Sequence, residues 1–468
     1  MNRNLFFLLG VVVAFLGGCT LAPEYTRPAS PVPVVWPTGT AYKETKFATG
    51  APMATELRWQ EFFTDEKLRK VIEMALTNNR DLRLAALNTE RARALYGIQR
   101  AGILPTANAV GSGSKQRVPA DLSSTGSAMT AEQYSVNLGI SSWEIDFFGR
   151  IHSLKDRALE EYIATDQVRR GVQILLVSAV ANAYLVLAAD RENLKLATST
   201  LATQEASYKL IRKRYDVGLA SELDLNRAQS QVDTARGDIV RYTQLAAQDE
   251  NALNLLVGSP MPPGLLPLEL GSVSPPKEIS PGLSSEMLLQ RPDVLAAEHG
   301  LKAANANIGA ARAAFFPRIS LTTAIGTASS DLSGLFKSGQ GTWSFAPQIM
   351  IPIFDARTWS AYDVTKVERE MSVSQYEKAI QTAFREVADA LAVRGTVNQQ
   401  IAAQQSLVNA VTETYRLSNL RYNKGIDSYL EVLDAQRSLY GAQQGLVLLR
   451  LFRFTNFVTL YKVLGGGA

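Results

Sequence analysis

The chain has 468 residues, of which 46% are apolar and 20% charged, so it can bury a large core and is not expected to be disordered. Its formal charge of +4 is small for this length and gives no footprint for nucleic acid, which needs Lys and Arg clustered on one face. The two histidines, His152 and His299, lie far apart, and no metal-ligand spacing, phosphate loop or Ser/His/Asp order appears; neither catalysis, a metal nor a cofactor is expected.

Arg3 supplies a positive start, residues 5–16 are apolar throughout, and Leu16-Gly17-Gly18-Cys19 comes next. This layout predicts a secretory signal peptide over 1–18, too short and too small at its end to be a membrane span. A Cys directly after two small residues resembles the bacterial lipoprotein cleavage box. That resemblance implies lipidation of Cys19, and Thr20 in place of Asp implies sorting to the outer membrane. With one cysteine the chain has no internal disulfide, and packing alone must stabilise it. Residues 19–60 are expected to form a lipidated, extended N-terminal segment.

Proline placement divides the rest of the chain. Prolines crowd 23–52 and 260–292, and none occurs in 120–259 or 353–468. A helix interior tolerates proline only at a cost of about 3 kcal/mol, so the empty stretches are where long helices can form. The two halves also repeat, with a period of about 210 residues. Arg100–Pro105 (RAGILP) matches Arg312–Pro317 (RAAFFP), and Asp81 pairs with Asp293. Trp143-Glu-Ile-Asp146 falls against Pro352-Ile-Phe-Asp355, and RYDVGLASELDLNRAQ from Arg214 lines up with RYNKGIDSYLEVLDAQ from Arg421. Leu256-Val-Gly258 meets Val463-Leu-Gly465. The expected organisation is a first repeat over 61–259 (helix, β-hairpin 105–146, long helices 151–258) and a Pro-rich linker over 260–283. A second repeat then spans 284–468 (helix, β-hairpin 317–354, long helices 357–464).

Period-two alternation marks the strands. Tyr134, Val136, Leu138 and Ile140 alternate with small or polar residues, as do Ile319, Leu321, Thr323 and Ile325, then Trp343, Phe345, Ile349, Ile351 and Ile353. A first strand, Thr106–Ser114, is placed by its position in the repeat. Each stretch is about ten residues, the length a tilted strand needs to cross a bilayer. Tyr134, Trp343 and Phe345 are expected at one end and Trp143, Phe147, Phe148, Phe315, Phe316 and Phe354 at the other, like two aromatic girdles. The polar stretches 115–133 and 328–342 read as long outer loops.

From about Ile151 to Tyr215, and again from about Arg357 to Tyr422, nothing but a lone Gly171 interrupts helix in the first run; each helix would be about 100 Å long. Residues 172–189 carry no charge and could be a transmembrane helix, but their repeat counterpart, 379–396, contains Arg385, Glu386, Asp389 and Arg394. A span should not be matched by a charged equivalent. Four strands per chain cannot close a membrane barrel, and open edges in hydrocarbon leave backbone groups unpaired. The sheet must therefore close with copies of itself. Three copies give twelve strands and room for a lumen, so the expected fold is a mixed α and β membrane protein: a homotrimeric twelve-stranded β-barrel continued by a long α-helical barrel.

These motifs together resemble the outer-membrane factor family related to TolC, and within it the OprM-like lipoprotein branch. The resemblance rests on the lipoprotein box, Trp143–Arg150 (WEIDFFGR), the RYDVGLAS and RYNKGIDS turns, Leu288–Asp293 (LLQRPD), Asn307–Pro317 and Leu464–Gly467. It implies an outer-membrane channel for drugs and other small toxic compounds, with a large periplasmic part. The implied partners are a periplasmic adaptor, an inner-membrane resistance-nodulation-division transporter and outer-membrane lipid. Gly218 and Gly425 suit the left-handed end of a helix, and Ser221 and Ser428 the cap of the next. The resemblance puts these turns at the periplasmic tip, with Leu219 and Ile426 as adaptor contacts. It likewise implies a gate there, at Tyr415, Asn419, Arg421 and Asp427; Asn419 stands where relatives carry Asp, so a charge-locked ring at that level is not expected. A protein-secretion channel shares this architecture and is the alternative. A porin would need more strands per chain, and a lipid-held coiled-coil scaffold would leave the alternating strands unused.

Overall fold

The computed structural model describes residues 20–42, 52–282 and 284–466. The expected signal peptide and Cys19 lie outside the described residues. The described chain forms eight α-helices and four strands. In order these are α1 (Trp59–Phe62), α2 (Glu66–Asn78), α3 (Arg80–Ala101), β1 (Ala107–Val118), β2 (Met129–Ile145), α4 (Arg150–Asp216), α5 (Glu222–Val257), α6 (Pro292–Ala313), β3 (Arg318–Ser329), β4 (Gly341–Met350), α7 (Ala356–Asn423) and α8 (Tyr429–Val463). α4 and α7 have 67 and 68 residues, each an uninterrupted helix of about 100 Å, in the stretches that lack proline. The chain divides into two compact units, one around residues 88–165 and 296–376 with 20–29, the other around 30–87, 166–295 and 377–466.

The first unit carries an antiparallel sheet in the order β1-β2-β3-β4. Directly opposed residues share a face, so the register sorts every side chain. Rows such as Leu138–Ile325–Trp343 and Ile140–Thr323–Phe345 put Val136, Leu138, Ile145, Ile319, Leu321, Ile325 and Ile349 on one face. The other face carries Asn108, Ser112, Ser135, Asn137, Glu144, Ser320, Ser344 and Gln348. Neither face is covered: Leu138 is 58% exposed, Ile325 67% and Trp343 80%. A sheet with one apolar and one polar face, both bare, and two edges that have no partner strand among the described residues is one stave group of a barrel.

A bulge keeps this sorting intact. Ser141 and Ser142 together face Thr322, and the Ser142 N–H donates to the Thr322 hydroxyl (3.1 Å). Ser142 has φ 53°, alone among the described non-glycine residues. The extra residue returns Trp143 to the apolar face, where strict alternation from Ile140 would have turned it inward.

Three expectations about the strands change. The ladder runs on through Lys115↔Glu132 to Val118↔Met129, and β3 reaches Ser329, so the outer loops shrink to 119–128 and 330–340. Polar residues there belong to strand beyond the apolar band. β4 stops at Met350, leaving Ile351 and Ile353 outside it. The aromatic girdles are not level rows: Tyr134 faces Ser329, Trp343 faces Ile325 and Phe345 faces Thr323. At the other end Phe148 stacks on Phe316 (centroids 4.9 Å) and Phe315 packs edge-on against Trp359 (4.7 Å), so these rings pack on one another.

Residues 20–29 lie extended within this unit. Pro23 accepts from the Asn305 amide (2.7 Å), and Arg27 forks onto the nearly buried Glu298 carboxylate (2.9 Å). Both histidines are helix residues whose rings lie against carboxylates: His152 Nδ1 is 2.8 Å from Asp146 and His299 Nδ1 2.5 Å from Glu160.

The second unit is a packed bundle. The uncharged stretch of α4 is its core: Val177, Val180, Ala181, Tyr184, Leu185 and Leu187 are buried. α4 has a window apolar enough to cross a membrane, but 61% of it is buried inside the protein, which removes the reason to read it as a span. The repeat shows in a contact made twice. Asn79, ahead of α3, donates to the Leu256 carbonyl (2.8 Å), and Arg291, ahead of α6, donates to the Val463 carbonyl (2.6 Å). Each time a left-handed glycine follows the accepting helix, Gly258 (φ 74°) and Gly465 (φ 76°). Residues 30–42 of the N-terminal segment end in a 3-10 turn at Thr40–Tyr42, another covers Ala54–Glu56, and α1 begins at Trp59, so 19–60 is not extended throughout.

Candidate functional site: the helical tips

The tip turns join α4 to α5 and α7 to α8, all within the second unit. Both end the first helix identically. The Gly218 N–H donates to Tyr215 (2.9 Å) and the Leu219 N–H to Arg214 (2.7 Å); the Gly425 N–H donates to Tyr422 (2.9 Å) and the Ile426 N–H to Arg421 (2.9 Å). These are paired Schellman bonds, and they need the left-handed backbone that Gly218 (φ 76°) and Gly425 (φ 73°) supply.

The next helix starts differently in the two turns. The Ser221 hydroxyl accepts from the Asp224 N–H (3.1 Å), and the Asp224 carboxylate accepts in return from the Ser221 N–H (3.4 Å). The Ser-x-x-Asp spacing is the sequence signal for this capping box, and reading Ser221 alone misses the part Asp224 plays. Ser428 occupies the matching position, yet its side chain makes no capping bond, contrary to expectation. Instead the preceding Asp427 takes both ends of the Arg421 guanidinium, Nη2 at 2.8 Å. This bond holds the Asp427 carboxyl below the usual range and pushes Arg421 up.

Beneath the turns the two helical hairpins share one core of Ile211, Leu225, Ala228, Tyr429, Val432 and Leu433. Tyr208, Tyr415 and Tyr422 pack against it. The Arg214 guanidinium sits 4.8 Å over the Tyr422 ring, which lies 5.3 Å from Tyr429. The tyrosines recur every seven residues at 415, 422 and 429, a spacing that could have revealed them as one cluster.

Of the gate candidates, Arg421 and Asp427 are brought together, Tyr415 is half-buried against the shared core, and Asn419 is half-buried near Arg421 at the end of α7. The turns expose apolar side chains: Leu219 is 73% exposed and Ile426 59%, with Val217 beside Leu219 at 70%. Val217 was not anticipated. Among the described residues no group of three His, Cys, Asp or Glu side chains could hold a metal. What the site offers is a turn made twice, with apolar side chains exposed on each copy.

A family model described as outer membrane efflux protein matches residues 71–259 and 283–466. The toluene efflux pump outer membrane protein TtgC of Pseudomonas putida is 50% identical over 469 residues, covering 100% of this chain and 96% of the relative. The outer membrane protein OprJ of Pseudomonas aeruginosa is 42% identical, covering 100% of this chain and 97% of OprJ. Among solved structures, the open state of the Neisseria gonorrhoeae MtrE outer membrane channel superposes with a TM-score of 0.86 at 37% identity, over 96% of this chain and 98% of that one.

Proposed function

The chain belongs to the outer membrane efflux protein family, and from that premise we propose that it is the exit channel of a tripartite efflux pump. The observation that carries this reading is the four-stranded sheet with one apolar face, one polar face and two unpaired edges. Three copies close it into a twelve-stranded barrel whose polar face lines the lumen. The apolar rows from Ile319 to Ser329 extend about 25 Å once tilted, the height of a membrane band. The protein conducts and does not catalyse. Relatives named as efflux components favour small toxic compounds over secreted proteins as cargo.

Cys19 would carry the lipid that holds the chain to the outer membrane. Leu219 and Ile426, with Gly218, Ser221, Gly425 and Ser428 shaping their turns, would dock the periplasmic adaptor. That adaptor would link the channel to a resistance-nodulation-division transporter in the inner membrane. Arg421 and Asp427, supported by their mutual bond, would form the resting gate with Tyr415 and Asn419. The two matched stretches would be products of one internal duplication, joined by the linker over 260–283.

Dye efflux tests the reading. Cells lacking their own exit channels receive this protein with its neighbouring pump genes. Efflux should return with the native chain and be lost with Leu219→Asp and Ile426→Asp. A correctly inserted trimer that restores no efflux would overturn the proposal.

A further inference from the structure

The register that sorts the sheet also gives an inventory of its polar face, because opposed residues point the same way. From the row Val118–Met129 at one end to Thr322–Ala346 near the other, that face holds only Ser, Thr, Asn, Gln, Gly, Ala, Val and Met. Lys115, Arg117 and Glu132 lie on the opposite face. Among the described strand residues, charge appears on the polar face only in the last two rows: Glu144, opposite Ser320, and Arg318, opposite Met350.

These two charges are not equivalent. Arg150, at the start of α4, takes both Glu144 oxygens, Nε at 2.8 Å and Nη2 at 2.8 Å, in the bidentate geometry that neutralises a carboxylate best. Arg318 Nε reaches one of the same oxygens at 3.2 Å, so it shares an acid that already has its partner. The next acid along, Asp146, caps α4: it accepts from the N–H of Arg150 (2.7 Å) and of His152 (2.8 Å), and its side chain is only 7% exposed. Asp355 is held by Arg357 at 2.9 Å. The Arg318 side chain is 56% exposed against 17% for Glu144, which leaves Arg318 as surplus positive charge at one end of a neutral surface.

We propose that Arg318 sets the charge preference of the exit, favouring anionic over cationic solutes at the helix-proximal end of the barrel. The proposal rests on the trimeric reading above, in which the polar face lines a lumen and three Arg318 side chains form one ring. Twelve strands about 4.8 Å apart and tilted by about 40° make a wall of about 12 Å radius. A guanidinium reaching inward from that wall lies within about 10 Å of the axis, the distance over which 0.1 M salt screens a charge. Three such charges together raise the local concentration of a monovalent anion about twofold and lower that of a cation by about the same factor. In 1 M salt the screening length falls to about 3 Å and the effect vanishes.

Thiol labelling of the full chain in outer-membrane vesicles tests this without passage through the helical tips. Gln348→Cys places a thiol on the polar face, level with Ser320 and Glu144. Anionic and cationic methanethiosulfonates are reacted with it, labelling of the native chain being subtracted. The ratio of the two rates cancels any change in the thiol's own ionisation. Adding Arg318→Gln should lower the anionic-to-cationic ratio about fourfold in 0.1 M salt, and the two ratios should converge in 1 M salt. Arg318→Lys, which keeps the charge, should keep the ratio. A ratio unmoved by Arg318→Gln in dilute salt overturns the proposal, as does a fall that persists in concentrated salt, since that would mark reshaping and not charge. Ile349→Cys, on the apolar face, tests the underlying reading separately, because in a closed barrel it faces lipid and resists both reagents. Equal labelling of Ile349→Cys and Gln348→Cys would show that no lumen exists and defeat the trimeric reading itself.

Discussion

At the scale of single residues, the most informative groups are carboxylates. Asp190 on α4 and Asp249 on α5 share a hydrogen bond, and burial, followed by the charge of Asp190, pushes Asp249 up from 3.8 to about 6. Burial raises Asp190 as well, against the hydrogen bonds from Asp249 and Asn193 and the charge of Arg241. The folded state therefore holds this proton more tightly than the unfolded chain. Its contribution is fully present below pH 4 and is lost as pH rises through about 6. Asp249→Asn should raise the melting temperature at pH 7.5 and flatten its dependence between pH 5 and 7; an unchanged pH profile would show the pair is not coupled. At the tip, Asp427→Ala frees Arg421. Resting conductance in planar bilayers should rise, and conductance equal to the native channel's would count against the gate.

Elements explain why some positions tolerate change and others do not. Gly218 and Gly425 stand in open space, so a side chain there meets only the backbone penalty of the left-handed conformation. Alanine at either should cost about 1 kcal/mol in thermal melts. Gly258 has the same conformation, but an added Cβ would lie 2.6 Å from the Asn78 carbonyl. Gly258→Ala should therefore cost clearly more than Gly218→Ala, and equal costs would mean the α2–α3 junction yields. The sequence made the long helices legible because proline cannot sit inside them, and the strands because one bare face must be apolar. It did not reveal the Ser141-Ser142 bulge, since a register shift depends on the neighbouring strand. The level of each aromatic ring was hidden for the same reason. Nor did matching Ser-containing turns foretell that Ser221 caps its helix while Ser428 does not; that depends on where the Asp224 and Asp427 side chains turn. The shared tip core escaped notice because Ile211 and Val432 are far apart in sequence.

For the whole molecule, one chain is an incomplete object. Its sheet exposes rows of apolar side chains on one face and two lengths of unpaired strand, which neither water nor hydrocarbon satisfies in a monomer. Copies of the chain supply both missing edges at once. The efflux reading depends on that closure, because a lumen exists only once the barrel is complete. Native mass spectrometry of the protein extracted from outer membranes in mild detergent tests it most directly. A single species of three chains is expected, each chain as given having a mass of 51.0 kDa. A folded monomer or dimer would contradict it.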